Sequence, residues 1–141
     1  MQTPRKSIIF QLIVLVVWLC GMNQVQCQNQ KIDFPQSCIA IVTGNYAPCI
    51  VELATQIWKL HQWGEDQPIT ICGINCVGNV KGRFSGFEWK WDGKFQCEAK
   101  APGIIGQTTK VSQQGAIENA IQDFLTKAVA AGKIKPEDFK C

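Results

Sequence analysis

The stretch CVGNVKGRFSGFEWKWDGKFQC, Cys76–Cys97, decides how the rest of the chain is read. Aromatic and β-branched residues alternate with polar ones, the period of a strand rather than a helix. Asp92-Gly93 is a strong turn signal, so FEWKWDGKFQC reads as a hairpin. A two-residue turn sets Trp89 opposite Gln96 and Lys90 opposite Phe95, which mixes polar and apolar side chains on both faces. A three-residue loop, Trp91-Asp92-Gly93 with Gly93 as the bulge glycine, pairs Lys90 with Lys94 and Glu88 with Gln96. Phe87, Trp89, Phe95 and Cys97 then share the other face. That clean separation favours the second register. It places Trp91 at the tip between two lysines and gives Trp89 to the core.

Outward from this stretch the pattern changes on both sides. Upstream, ITIC and INCVGNV are short strands. Before them, Pro48–Gly64 carries Ile50, Leu53, Ala54, Ile57, Trp58 and His61 at helical spacing, with Pro48 suited to the first turn and Gly64 to the stop. Residues 28–47 form a lead-in segment, polar and irregular, pinned by Cys38. Downstream, IIGQTTKV predicts one more strand. SQQGAIENAIQDFLTKAVAAG predicts a helix with Ser112 as N-cap, a stripe of Ile117, Ile121, Phe124, Leu125 and Ala128, and Gly132 as the stop. A short turn or helix from Lys135 ends at Cys141. Helices flanking a run of antiparallel strands imply an α+β domain with the helices packed on one face, over residues 48–141.

The amino-terminal residues belong to a different class. Arg5 and Lys6 precede the apolar run Ile8–Cys20, the form of a secretory signal peptide. The run is shorter than a spanning helix needs and Gln11 interrupts it, which argues against a transmembrane anchor. Cleavage after Gly21 leaves seven cysteines; cleavage after Cys27 leaves Cys38, Cys49, Cys72, Cys76, Cys97 and Cys141. An even count suits an oxidising compartment, so residues 1–27 read as the leader and Gln28 as the mature start. The mature chain is then a secreted, disulfide-stapled domain. Zinc is the competing use of cysteine, but Cys72 and Cys76 are spaced C-x3-C and His61 is the one histidine. The full chain of 141 residues carries a formal charge of +3. Without Arg5 and Lys6, twelve basic side chains face eleven acids. A nearly neutral secreted protein does not fit nucleic-acid binding, even though bases can stack on exposed tryptophans.

Catalytic motifs are absent. Gly82–Gly86 has its Ser85 one place late for a nucleophile elbow, and there is no metalloprotease or phosphate-loop motif. His61 sits at the end of an apolar stripe, where an edge residue or helix C-terminal partner is a better reading than a general base. The chain reads as a non-enzyme without cofactor or metal. The Cys76–Cys97 stretch is different: Lys81, Arg83, Lys90 and Lys94 outnumber Glu88 and Asp92 beside two tryptophans. Cations attract phosphate or carboxylate, and aromatic rings favour a polar–apolar boundary, so the combination suits an anionic amphiphile.

From about Ile50 to Phe139 the chain resembles the arthropod anti-lipopolysaccharide factors. Cys76 and Cys97 stand at the spacing of that family's single disulfide. EWKWDGKFQC is similar to its basic-aromatic hairpin, and GIIGQTTKVSQQGAIENAIQDFLTKAVAAGKI to the strand and helix that follow. The resemblance implies three helices on a four-stranded antiparallel sheet, binding of the lipid A part of lipopolysaccharide on bacterial outer membranes, and antimicrobial activity in innate immunity. Carried over by position, Lys81, Lys90 and Lys94 match basic places and Trp89 and Trp91 aromatic ones, while Arg83 adds a cation. Lys81, Arg83, Lys90, Lys94 and Trp91 are the expected lipid A contacts. Ser85, Gly86, Glu88 and Asp92 depart from the strongly cationic members, so binding is expected to be weaker than theirs. Cys38, Cys49, Cys72 and Cys141 lie beyond the family's bridge and suggest two more disulfides of open connectivity. Two other expectations stand beside this one. A cystatin-like inhibitor shares the helix-on-sheet plan, but the mature chain has no Q-x-V-x-G loop. A family scaffold that lost lipopolysaccharide binding and took another ligand fits the acidic substitutions.

Overall fold

A computed structural model of the chain describes Gln11 and residues 32–39, 44–61, 63–64 and 66–141. The leader expected over residues 1–27 and its cleavage site lie outside the described residues, Gln11 apart. The order is α1 (Gln36–Ile39), α2 (Ala47–Lys59), β1 (Gln67–Ile71), β2 (Ile74–Ser85), β3 (Glu88–Gln96), β4 (Gly106–Lys110), α3 (Gln113–Ala130) and a final 3-10 turn (Pro136–Phe139). The strands form one antiparallel meander in the order β1-β2-β3-β4. The α+β class and the three helices on a four-stranded sheet are as expected.

The helices cover one face of that sheet. In α2 the stripe of Ile50, Leu53, Ala54 and Ile57 is buried, while Trp58 and His61 are half-buried. The helix stops at Lys59, earlier than Gly64. Trp63 folds back and its Nε1 donates to the Trp58 carbonyl at 2.8 Å, satisfying a group that the helix end leaves open. The Trp63 ring then lies over Gly78 and meets Phe95 edge-on at 6.0 Å. In α3, Ser112 Oγ accepts from Gly115 N at 3.1 Å as an N-cap, and Gly132 follows the helix with φ +67°. Its stripe of Ile117, Ile121, Phe124, Leu125 and Ala128 is buried with Ala116 and Ala120. α3 packs across β3 and β4 and against α2, where Thr55 Oγ1 donates to Glu118 Oε1 at 2.6 Å.

The hairpin differs from expectation. β3 runs unbroken through Asp92-Gly93, and the turn lies at Gly86-Phe87, with Ser85 opposite Glu88. Both turn residues have positive φ, 61° and 62°, as a two-residue type I′ turn requires. Lys90 therefore opposes Arg83, not Lys94, and Gln96 opposes Val77, not Glu88. Gly93 serves another purpose: a Cβ there would run into the carbonyl of Ala116. A glycine within a strand marks either a turn or a close approach, and here α3 makes the approach.

Among the described residues three disulfides fix the periphery: Cys76–Cys97, as the resemblance implied, and Cys38–Cys49 and Cys72–Cys141. The first spans β2 and the end of β3. The second ties the lead-in segment to α2; that segment is not irregular throughout, since α1 docks with Ile32 and Cys38 in the core. The third holds the carboxyl terminus beside the β1–β2 turn, and Phe139 next to it is buried.

Candidate ligand-binding face

Strand alternation with one face covered leaves the other face open. The covered face takes Gly78 and Val80 of β2 and Gly93 and Phe95 of β3. The outer face takes Asn79, Lys81 and Arg83 of β2, Lys90, Asp92 and Lys94 of β3, and Gln107 and Thr109 of β4. The four cations singled out in the sequence thus share one open surface.

Their partners divide them in two. Lys81 opposes Asp92, but Asp92 is engaged elsewhere. Arg83 Nε pairs with Asp92 Oδ2, and Thr109 Oγ1 donates to Asp92 Oδ1 at 2.6 Å. The Arg83 hydrogen bond, then that of Thr109, holds the Asp92 carboxyl below its ordinary pKa, and Asp92 in turn raises that of Arg83. Lys90 Nζ lies 3.5 Å from Glu88 Oε2. Opposed like charges repel across a strand pair, and these two acids offset the Arg83–Lys90 repulsion. Among the described residues, Lys81 and Lys94 make no ion pair. They flank a shallow depression of about 630 Å³ whose floor includes Asn79, Asp92, Gln107 and Thr109.

The aromatic residues are arranged in the reverse of the expectation. Trp91 is not at a tip: it lies mid-strand on the covered side, half-buried against the core. Trp89 is 52% exposed, although it is on the same side. β4 ends at Lys110 opposite Trp91, so no β4 residue flanks Trp89. Trp89 stacks over Gly82 and touches Trp91 edge-on at 5.9 Å. Sequence reasoning missed Phe84, 68% exposed, and Phe87, 98% exposed, which share this end of the hairpin. The Ser85-Gly86 dipeptide is the local turn signal that points to them.

Among the described residues the helical side offers no second site. His61 is half-buried; burial lowers its pKa, its Nε2 has no hydrogen-bond partner, and its ring meets Trp63 edge-on at 5.2 Å. No group of three or more metal-ligating side chains gathers among the described residues, and each of their cysteines is bridged. No described helix is long and apolar enough to cross a membrane.

Comparison with known proteins agrees with this architecture. The family model described as anti-lipopolysaccharide factor/scygonadin matches residues 40–141. An anti-lipopolysaccharide factor of Tachypleus tridentatus is 30% identical over 95 residues, covering 67% of this chain and 89% of that protein. One of Limulus polyphemus is 31% identical over 91 residues, covering 64% and 86%. The solution structure of an antilipopolysaccharide factor from shrimp, described with a possible lipid A binding site, superposes with a TM-score of 0.57. It is 21% identical and covers 69% of this chain and 91% of that one. That last likeness is one of fold.

Proposed function

The chain belongs to the anti-lipopolysaccharide factor/scygonadin family, and from that premise we propose that it is a secreted antimicrobial protein of innate immunity that binds lipopolysaccharide. The observation that supports this most is the gathering of Lys81, Arg83, Lys90 and Lys94 on the open face of the sheet. Lys81 and Lys94, without internal carboxylate partners, take the phosphates of lipid A first. Arg83 and Lys90 contribute less, because a ligand phosphate competes with Asp92 and Glu88 for them. Phe84, Phe87 and Trp89 meet the acyl region or the membrane interface, where aromatic rings are favoured. Trp91 acts by bracing Trp89. The Cys76–Cys97 bridge and the sheet hold the face in shape before ligand arrives, which lowers the ordering cost of binding. The protein is not an enzyme in this reading, carries no cofactor, and does not bind nucleic acid or span the membrane.

Calorimetry with lipid A at low and physiological salt tests the proposal. Binding should weaken as salt rises. It should fall about tenfold in Lys81→Ala/Lys94→Ala, on the order of 1.4 kcal/mol. Unchanged binding in that variant, with its circular dichroism intact, sinks the assignment. A second reading has one specific observation behind it: two of the four cations are already paired with acids. A scaffold that takes a different anionic ligand shows no lipid A binding even at low salt.

A further inference from the structure

The outer face is not uniform along the strands. Toward the hairpin turn it is cationic. Toward the opposite end, between β1 and the β3–β4 connection, lies a hollow of about 290 Å³ walled by Pro68, Val77 and Ala99. Thr70, Asn75 and Glu98 beside it are engaged within the protein. Thr70 Oγ1 donates to Asn75 Oδ1 at 2.9 Å, and Glu98 Oε2 accepts from Gly103 N at 3.3 Å. Gln96 stands at the rim. A small depression of about 40 Å³ joins this hollow to the cationic one. It shares Asn79 and Lys94 with the cationic side and Val77 and Gln96 with the apolar side. The acid beside it, Asp66, accepts from Asn79 Nδ2. The result is one track across the sheet, cationic at one end and apolar at the other.

We propose that the apolar hollow is an acyl-chain subsite, holding a single chain of an anionic amphiphile whose phosphate rests between Lys81 and Lys94. This rests on the phosphate reading above and adds to it a second contact at the far end of the sheet from the aromatic tip. Continuity decides the occupant: a phosphate at Lys94 puts the first carbons of its ester beside Asn79 and Val77, and the track leads on to Ala99. β3 advances about 7 Å from Lys94 to its end at Gln96, and the hollow extends beyond it to Ala99, which gives room for a medium-length chain. Val77 and Pro68 lie on an open sheet face, where apolar side chains gain free energy when a chain covers them. A peptide would have to satisfy its backbone groups where Thr70, Asn75 and Glu98 are already engaged, whereas an alkyl chain has none to satisfy.

The test uses single-chain phosphate esters below their micelle concentration: butyl, octyl and dodecyl phosphate, titrated by calorimetry into the disulfide-bonded protein. In the wild type the affinity should rise about twofold per methylene, less than full burial gives because the hollow is open on one side. Val77→Gln and Ala99→Trp should flatten the series, and Ala99→Trp, beyond the reach of a four-carbon chain, should leave butyl phosphate within twofold of wild type. Phe84→Ser/Phe87→Ser/Trp89→Ser should keep the series. A flat series in the wild type overturns the subsite. So does a series that survives Val77→Gln and Ala99→Trp, or one that disappears in the tip variant. If butyl phosphate still loses its binding in Lys81→Ala/Lys94→Ala, the phosphate reading survives those results. Butyl phosphate binding that ignores the two lysines overturns both readings together.

Discussion

Lys94 and Phe95 are neighbours on one strand and belong to different environments. Phe95 points under the helices, meets Phe124 at 5.3 Å and Trp63 at 6.0 Å, and is fully buried. Lys94 points into solvent at the edge of the cationic depression. The same alternation separates Gly93 from Asp92. One face is fixed by packing and tolerates little. The other is fixed by register alone and can vary its charge at little cost in stability. A family can therefore change its ligand-facing residues while keeping its core.

That contrast breaks most visibly at Phe95→Ala. Removing a buried ring between two aromatic neighbours should cost about 4 kcal/mol in urea or thermal unfolding. Lys94→Ala, one residue away, should stay within about 0.5 kcal/mol. Similar costs for the two would mean that the faces are not independent. Gly93→Val should cost about 3 kcal/mol, because its side chain has to displace the backbone of α3 at Ala116. The same measurement checks it, and a neutral result would mean that α3 stands farther from the sheet.

Phe87→Gly should act with the opposite sign. A bulky residue at φ 62° holds a conformation that glycine adopts freely, so the variant should gain about 1 kcal/mol. It should at the same time lose affinity for anionic vesicles containing lipid A. The opposite movement of stability and binding would identify Phe87 as a strained position kept for contact.

The smallest effect on stability belongs to Asp92→Asn. The folded state lowers the Asp92 pKa, so its contribution is present at neutral pH and is lost as pH falls through that lowered value. The variant should lack this acid-side loss. Asp92 is exposed, so the difference is slight. Its effect on binding should be larger, because releasing Arg83 adds a cation to the face. Lipid A affinity should rise severalfold, most clearly at low salt.

Local signals in the chain account for several features. The α3 stripe and its Ser112 cap follow from helical spacing and a local hydrogen bond. The α2 stripe is legible in the same way, but its end is not, because Trp63 reaches back across the helix terminus from outside the periodic segment. The four cations are recognisable as residues, whereas the pairing of Arg83 with Asp92 depends on which residues face each other across β2 and β3. Asp92-Gly93 misleads for a definite reason. The dipeptide favours a turn locally, but Gly93 is needed where α3 presses on the sheet, and that pressure comes from Ala116, far downstream in the chain. Once Gly93 stays within a strand, Gly86-Phe87 takes the turn and Trp89 and Trp91 exchange roles.

By itself, the sequence determined the α+β class, the helical stripes, the staple between Cys76 and Cys97 through the resemblance its residues carry, and the set of cations and aromatic rings available to a ligand. Apart from the staple, which the resemblance implies, these follow from local periodicity, caps and composition. Only the tertiary structure decided the register of β2 on β3, the partners of Cys38 and Cys72, the exposure of Phe84, Phe87 and Trp89, and the track from Lys81 to Ala99. Each of these depends on contacts between distant segments. A strand's two faces are equivalent until something packs against one of them, and here α3, together with the end of β4 at Lys110, breaks that equivalence.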